Sequence, residues 1–458
     1  MSDLLSTVSP RWKVNLTRRN FLRLAAGSSA ATVLASYVSP RAHAAAMDFD
    51  WKKYKGTTIR YLGWNEGWSV NMRQKLPEFE ELTGIKVVWE QLAQDQHRQK
   101  AATELTAKNK DLDLIFVAPD VDCVRYLKAG WLLPLDEFLA DPKMMPPDWE
   151  VKDFAPGLLG TGRILGKQVA IPQQADLMTF MYRKDIFEQK GAKVPETMDE
   201  MEQVVAKVHT PPDVVGIVNR GTVQQGPVPW AAYLYNFGGD WLTKDRKPAI
   251  GTPESVRSIE FFAKLCRNYG PLGTTSLNWP EAASTLGQGR AAITTDTSNQ
   301  RNIFEDPKQS KVVGKVGYGM FPKGPGGNKP WIWTAGNAIS TLSEKKEAAW
   351  YFILWSINKK NQLYTNLKGV AAARSSVWTA PETEDVRAKY PDWVTTTLET
   401  MKISDKGINP PVVAVMEFRN RVGEVLVKAI QGLTGDALKE EAAKADLQLQ
   451  AILDKTEK

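Results

Sequence analysis

Apolar and polar positions divide this chain into short strand-like runs and longer helix-like ones. Residues 57–64 (TTIRYLGW) predict a strand, and residues 71–83 a helix that stops at Gly84. A second strand follows at 85–92 (IKVVWEQL), then a helix over 95–108. Residues 111–117 (DLDLIFV) predict a third strand, whose apolar end implies burial on both faces. A helix over 121–129 ends at Gly130. Strands alternating with helices of this length are the mark of a doubly wound, mainly parallel sheet, with ligands held beyond the carboxyl ends of the strands. The stretches 64–68 and 119–122 occupy such positions.

Further on, residues 166–172 and 178–182 read as short strands, and Thr252-Pro253-Glu254 as a capped helix start. A turn and strand follow at 287–296. Residues 322–330 (PKGPGGNKP) form the clearest loop, and amphipathic helices are predicted over 343–358, 418–430 and 437–453.

Length favours two or more domains, and 43% hydrophobic with 24% charged residues is a globular composition. The net charge of +7 would suggest nucleic acid or membrane partners, so its location matters. Six basic side chains (Arg11, Lys13, Arg18, Arg19, Arg23, Arg41) lie in residues 1–44 beside one acid, Asp3; the rest carries 53 basic and 51 acidic groups. That balance gives no reason to expect nucleic acid. The basic segment TRRNFLR, the mild apolar run LAAGSSAATVLASYV and the small-residue triplet Ala42-His43-Ala44 have the order of a secretory signal. The Arg pair followed by Asn-Phe-Leu resembles a twin-arginine signal, cleaved near residue 46, with the twin-arginine translocase as export partner. No cysteine near the cleavage site implies no lipid anchor, so a soluble periplasmic protein is expected.

Six segments resemble, in order, the extracellular solute-binding proteins of ABC importers, in the class that includes maltose-binding proteins: LTGIKVVWE (82–90), KAGWLLPLDEFL (128–139), the long run 166–201, LGQGRAAITTD (286–296), AGNAISTLSEKKEAAWYFILW (335–355) and GVAAARSSVW (369–378). Ala373 stands where the family often has Pro, Arg183 where it has Asn, and Thr294-Thr295 where it has Met. The resemblance implies an α/β fold of two lobes, each a mainly parallel sheet flanked by helices, with a ligand cleft at the hinge. Lobe one would comprise 51–180 and 335–368, and lobe two 184–332 and 371–458, with crossings near 179–184, 333–336 and 366–372. It also implies a monomer that delivers its ligand to the importer's membrane permease, without cofactor or metal. Cys123 and Cys266 would lie in different lobes, where a disulfide would lock the hinge, so two free thiols are expected.

Candidate binding residues follow from strand ends and from this resemblance. Trp64, Asn65, Glu66 and Trp68 sit at the exit of the first strand, where core packing is the competing fate for the tryptophans. Asp120 opens a helix, and helix capping is as good a reading as binding. Gln174 and Asp176 follow a proline before the first crossing, where turn chemistry competes equally. By resemblance, Trp230 offers a stacking ring, Asp296 faces the cleft, and Trp333, Gly336 and Asn337 flank the second crossing. Arg374 matches the family's arginine after the third crossing, a structural ion pair being its other reading. Aromatic planes plus carboxylates and amides suit a sugar, oligosaccharide or polyol, whose hydroxyls bond planar groups in pairs. The same mix would cage a polyamine, since four candidate acids face one candidate base. On this reading Trp64→Ala and Asp296→Ala each weaken binding at least about tenfold, roughly 1.4 kcal/mol, with the fold intact.

An enzyme is the remote alternative. Four scattered acids do not fix a glycosidase pair. Beyond the signal the chain has two histidines, His97 and His209, which argues against a His-ligated metal or a His-based triad. Neither a Walker loop nor a G-x-S-x-G elbow is present.

Overall fold

The computed structural model describes residues 49–457; the export signal expected over 1–46 lies outside the described residues. Among the described residues, twelve strands form two larger sheets and a hairpin. The first sheet draws on β1 (Thr58–Trp64), β2 (Lys86–Leu92) and β3 (Leu114–Val117). The hairpin β4 (Arg163–Ile164) and β5 (Lys167–Gln168) lies apart, and β6 (Ile171–Pro172) returns to the first sheet. The second sheet holds β7 (Asp176–Arg183), β8 (Val215–Val218), β9 (Ala291–Thr297) and β10 (Val316–Met320), with β11 (Ile332–Trp333) beside β7. Finally β12 (Gly336–Ile339) completes the first sheet, whose order is β2-β1-β3-β12-β6; the second runs β10-β7-β9-β8.

The sheets are mixed rather than mainly parallel. β1 runs parallel to β2 and β3, with helices carrying the chain from β1 to β2 and from β2 to β3, but β12 is antiparallel to β3 and β6. In the second sheet only β8 and β9 are parallel. β7 and β12 enter their sheets from the opposite lobe, not through a βαβ turn, so the handed crossover that enforces parallel pairing does not govern them.

Local chemistry sets the boundaries. The helix expected over 71–83 is two helices, Gly67–Arg73 and Leu76–Thr83. Glu66 caps the first, accepting hydrogen bonds from Trp68 N and Ser69 N, so it begins earlier than its apolar spacing implies. Pro77, near the start of the second, cannot donate back into the first and separates them. Gly84, at φ 69°, closes the pair in the left-handed conformation that glycine adopts freely. Thr252 caps the helix Pro253–Tyr269 through Ser255 N. The helix Lys346–Ser356 is buried from Ala348 to Ser356 and forms a central core element beside β12.

The chain passes from the first sheet to the second at 173–175, between β6 and β7, and returns at 334–335, between β11 and β12. The first passage lies ahead of the expected 179–184, most of which is already strand β7, so residues 176–180 leave lobe one. A third segment, 369–374, runs beside the first passage: Ala175 N donates to Ala371 O at 2.8 Å. Gln362 joins them, its Nε2 donating to Gln173 O (3.2 Å) and its Oε1 accepting from Ala373 N (2.7 Å).

Cys123 and Cys266 are both free and buried. Cys266 lies on the buried stripe Val256, Ile259 and Ala263, and burial pushes its thiol up to about 12. Little thiolate forms at neutral pH. We expect a colourimetric thiol reagent to find no reactive cysteine in the native protein and two after unfolding; rapid native labelling would refute this.

Candidate functional site

The exits of β1, β3 and β9 and the entry of β7 converge where the sheets approach, each contributing a polar side chain. On the first lobe, Glu66 holds Trp68 N (2.9 Å) and Ser69 N (2.6 Å). Burial pushes its carboxyl up to about 7; the two backbone donors act in the opposite direction, and the charge of Asp176 adds to the rise. Asn65 is exposed, and its Oδ1 accepts from Gln91.

The tryptophans beside Glu66 are core residues. Trp64 is 6% exposed, stacks on Phe116 at 4.6 Å, and has the Arg98 guanidinium 4.9 Å from its ring. Its Nε1 donates to His97 Nδ1 at 2.6 Å, while His97 Nε2 lies 3.2 Å from Leu62 O. Burial pulls His97 down to about 4, so the ring is neutral at pH 7, with Nδ1 free to accept. Trp68 is fully buried against Trp89. Trp230 is fully buried too: its Nε1 bonds Ser258 and its ring meets Trp241 edge-on. Neither Trp68 nor Trp230 presents a face to a ligand, and both leave the candidate set.

Arg374 takes its structural reading. It is 2% exposed, pairs with Asp153 (3.1 Å), donates to Ile357 O (2.7 Å) and Glu150 O (3.0 Å), and sits over Trp149 and Phe154. Gly336 is also structural, since a Cβ there would lie 2.8 Å from Ala170 Cβ. Asn337 is buried, accepts from Tyr61 Oη (2.6 Å), and has an Nδ2 without a protein partner.

Asp176, at the start of β7, is the centre of the junction. It accepts from Gln174 Nε2 (2.7 Å), Asn299 Nδ2 (2.8 Å) and Thr297 Oγ1. Burial raises its carboxyl above the usual range against these donors and the charge of Arg220. Asn299 also donates to Ala175 O and accepts from Ala371 N, linking two passages of the chain. Asp296, 1% exposed, forms a two-point pair with Arg220 Nε (2.7 Å) and Nη2 (2.5 Å). Asp120 accepts from Trp333 Nε1 (2.9 Å) and Asn409 Nδ2 (2.7 Å), and burial raises it as well. Trp333 is only partly buried.

Sequence reasoning missed Arg220, Thr297, Asn299, Asn409 and Arg419. The first three lie at the ends of β8 and β9, where the strand-end rule applied to the second lobe would have found them. Asn409, in an irregular segment, and Arg419, in the helix Val415–Ile430, carry no local signal.

Two α/β lobes, linked by adjacent passages of chain and facing each other with carboxylates, amides and an arginine, define a cleft-closing binding protein. The chain belongs to the bacterial extracellular solute-binding protein family, whose model matches residues 69–363. It is 25% identical over 383 residues to the mannitol-binding protein of Pseudomonas aeruginosa, covering 79% of this chain and 86% of that one. To the erythritol/L-threitol-binding protein of Mycolicibacterium smegmatis it is 27% identical over 335 residues, 68% of this chain and 69% of that one. Among solved structures, an ABC transporter solute-binding protein from Agrobacterium radiobacter K84 in complex with ribitol superposes with a TM-score of 0.77 at 26% identity, over 87% of this chain and 99% of that one. A counterpart from Agrobacterium vitis S4 with bound D-mannitol gives 0.72 at 26%, with the same coverage. Among the described residues, no helix is long and apolar enough to cross a membrane, and no group of three or more His, Cys, Asp or Glu could hold a metal ion.

Proposed function

We propose that this protein captures a short linear polyol between its lobes and delivers it to the permease of an ABC importer. It acts in the periplasm as a monomer, after twin-arginine export, and performs no catalysis. The observation that carries this reading is the chemistry of the junction. Glu66, Asp120, Asp176, Gln174 and Asn337 supply acceptors and donors from both lobes, while the rings of Trp64, Trp68 and Trp230 are closed off. A pyranose ring offers a flat apolar face and calls for an aromatic platform; a linear polyol calls mainly for hydrogen bonds along its length. Relatives that bind mannitol, erythritol or L-threitol, and ribitol support the same class.

The polyamine reading loses support. Arg98 already occupies the neighbourhood of the Trp64 ring, and Arg220 and Arg419 add positive charge where one candidate base was expected. A thermal-shift screen of linear polyols, cyclic sugars, maltooligosaccharides and polyamines tests the proposal. A four- to six-carbon polyol should raise the melting temperature, as any ligand selective for the native state does, and remain chemically unchanged. A shift with polyamines alone, or cleavage of an oligosaccharide, would overturn it.

A further inference from the structure

The segment 404–414 rests on the second lobe and reaches across to the first. Tyr235 Oη donates to Gly407 O at 2.9 Å and Trp241 Nε1 to Ile408 O at 3.0 Å, fixing its base. At its tip, Asn409 Nδ2 donates to Asp120 Oδ2, and Val413 packs against the first-lobe cluster that includes Leu62 and Tyr126. Asn409 is 7% exposed, and its Oδ1 has no protein partner. Nearby, Arg419 is 4% exposed; its Nη2 donates to Gln224 O at 2.5 Å, while its Nε has no protein partner. Arg419 lies close enough to Asp120 for its charge to favour the ionised carboxyl.

Buried polar atoms without partners are rare in folded proteins and call for an explanation. Here one is an acceptor on the amide that bonds Asp120, the other a charged donor on the arginine whose field reaches the same carboxylate. A hydroxyl carries both functions these atoms lack, a donor for Asn409 Oδ1 and an acceptor for Arg419 Nε. An ammonium can only donate and would face the arginine; a carboxylate can only accept and would face Asp120.

We propose that Asn409 and Arg419, beside Asp120, form the end wall of the cleft, bind a terminal hydroxyl of the polyol, and so set the chain length the protein prefers. This rests on the polyol reading above. The test is calorimetric titration of erythritol, ribitol and mannitol into the wild type, Asn409→Ala and Arg419→Lys, with melting temperatures measured alongside. Arg419→Lys keeps the charge but removes Nε, so it tests that donor even if Asn409→Ala folds poorly. The wild type should favour one chain length, and each variant should lose at least tenfold in affinity for it while the ranking among the three flattens. If the wild type binds a polyol but folded variants keep their affinities and ranking within twofold, the end wall is refuted and the polyol reading stands. If the wild type binds none of the three, both fall.

Discussion

Replacing Arg220 with alanine should remove about 3–5 kcal/mol of folding stability, the usual cost of taking one partner from a buried ion pair. Asp296 is 1% exposed, and both its oxygens bond the Arg220 guanidinium. Without Arg220 its carboxylate keeps the Thr297 N–H donor at 2.7 Å but loses its counter-charge. The same pairing revises the expectation for Asp296→Ala: that variant strands Arg220, 9% exposed, and should destabilise the fold as well as weaken binding. Urea unfolding without ligand gives the measurement. Because the cost comes from an uncompensated charge, Arg220→Met combined with Asp296→Leu should recover much of the loss. A loss below about 1 kcal/mol in Arg220→Ala, near the range of exposed pairs, would mean that water reaches the pair.

The contrast between Asp296 and the tryptophans shows what was legible in the sequence. Strand ends could be located because apolar period and glycine stops are local: β1, β2 and the Gly84 stop fall within a residue or two of their expected places. That rule brings Glu66, Asp120 and Asp176 to one junction. It says nothing about which way a large ring at a strand end turns, since that is decided by partners distant in sequence. Trp64 is held by His97 and Phe116, Trp230 by Ser258 and Trp241, and Arg374 by Asp153, 221 residues away. Strand direction failed for a related reason: β7 and β12 are delivered by passages between lobes, which no local pattern records. Likewise, the amine and polyol readings could not be separated by counting acids, because Arg98 and Arg419 enter the junction only through tertiary contacts and Arg220 lies past a strand, β8, whose end the pattern did not mark.

Glu66 should make both stability and ligand affinity depend on pH, in opposite senses. Its carboxyl lies at about 7 in the folded protein, against 4.5 as its ordinary value, because burial disfavours the charge. Between those values the native state holds a proton that the unfolded chain has released, so this group's contribution to stability falls as pH rises from 4.5 to 7. At roughly 1.4 kcal/mol per pH unit, reduced for water reaching a partly buried group, the fall is about 2–3 kcal/mol. Glu66→Gln keeps an acceptor oxygen for only one of Trp68 N and Ser69 N, which lowers its stability at every pH, but it cannot titrate; the difference in pH dependence between wild type and variant in urea unfolding, taken across pH 4.5–8, isolates the effect. A polyol hydroxyl donating to Glu66 favours the ionised form, as hydrogen bonds to a carboxylate do. Affinity should therefore rise with pH from about 5.5 to 7.5, and binding near pH 6 should release a proton. Titration in two buffers of different ionisation enthalpy reads that proton directly, and the release should vanish in Glu66→Gln. Proton release unchanged by the substitution would move the linkage to Asp176, the other raised carboxyl in electrostatic contact with Glu66. Proton uptake on binding would mean that the ligand meets Glu66 as a neutral acid, and would remove its carboxylate from the acceptors of the cleft.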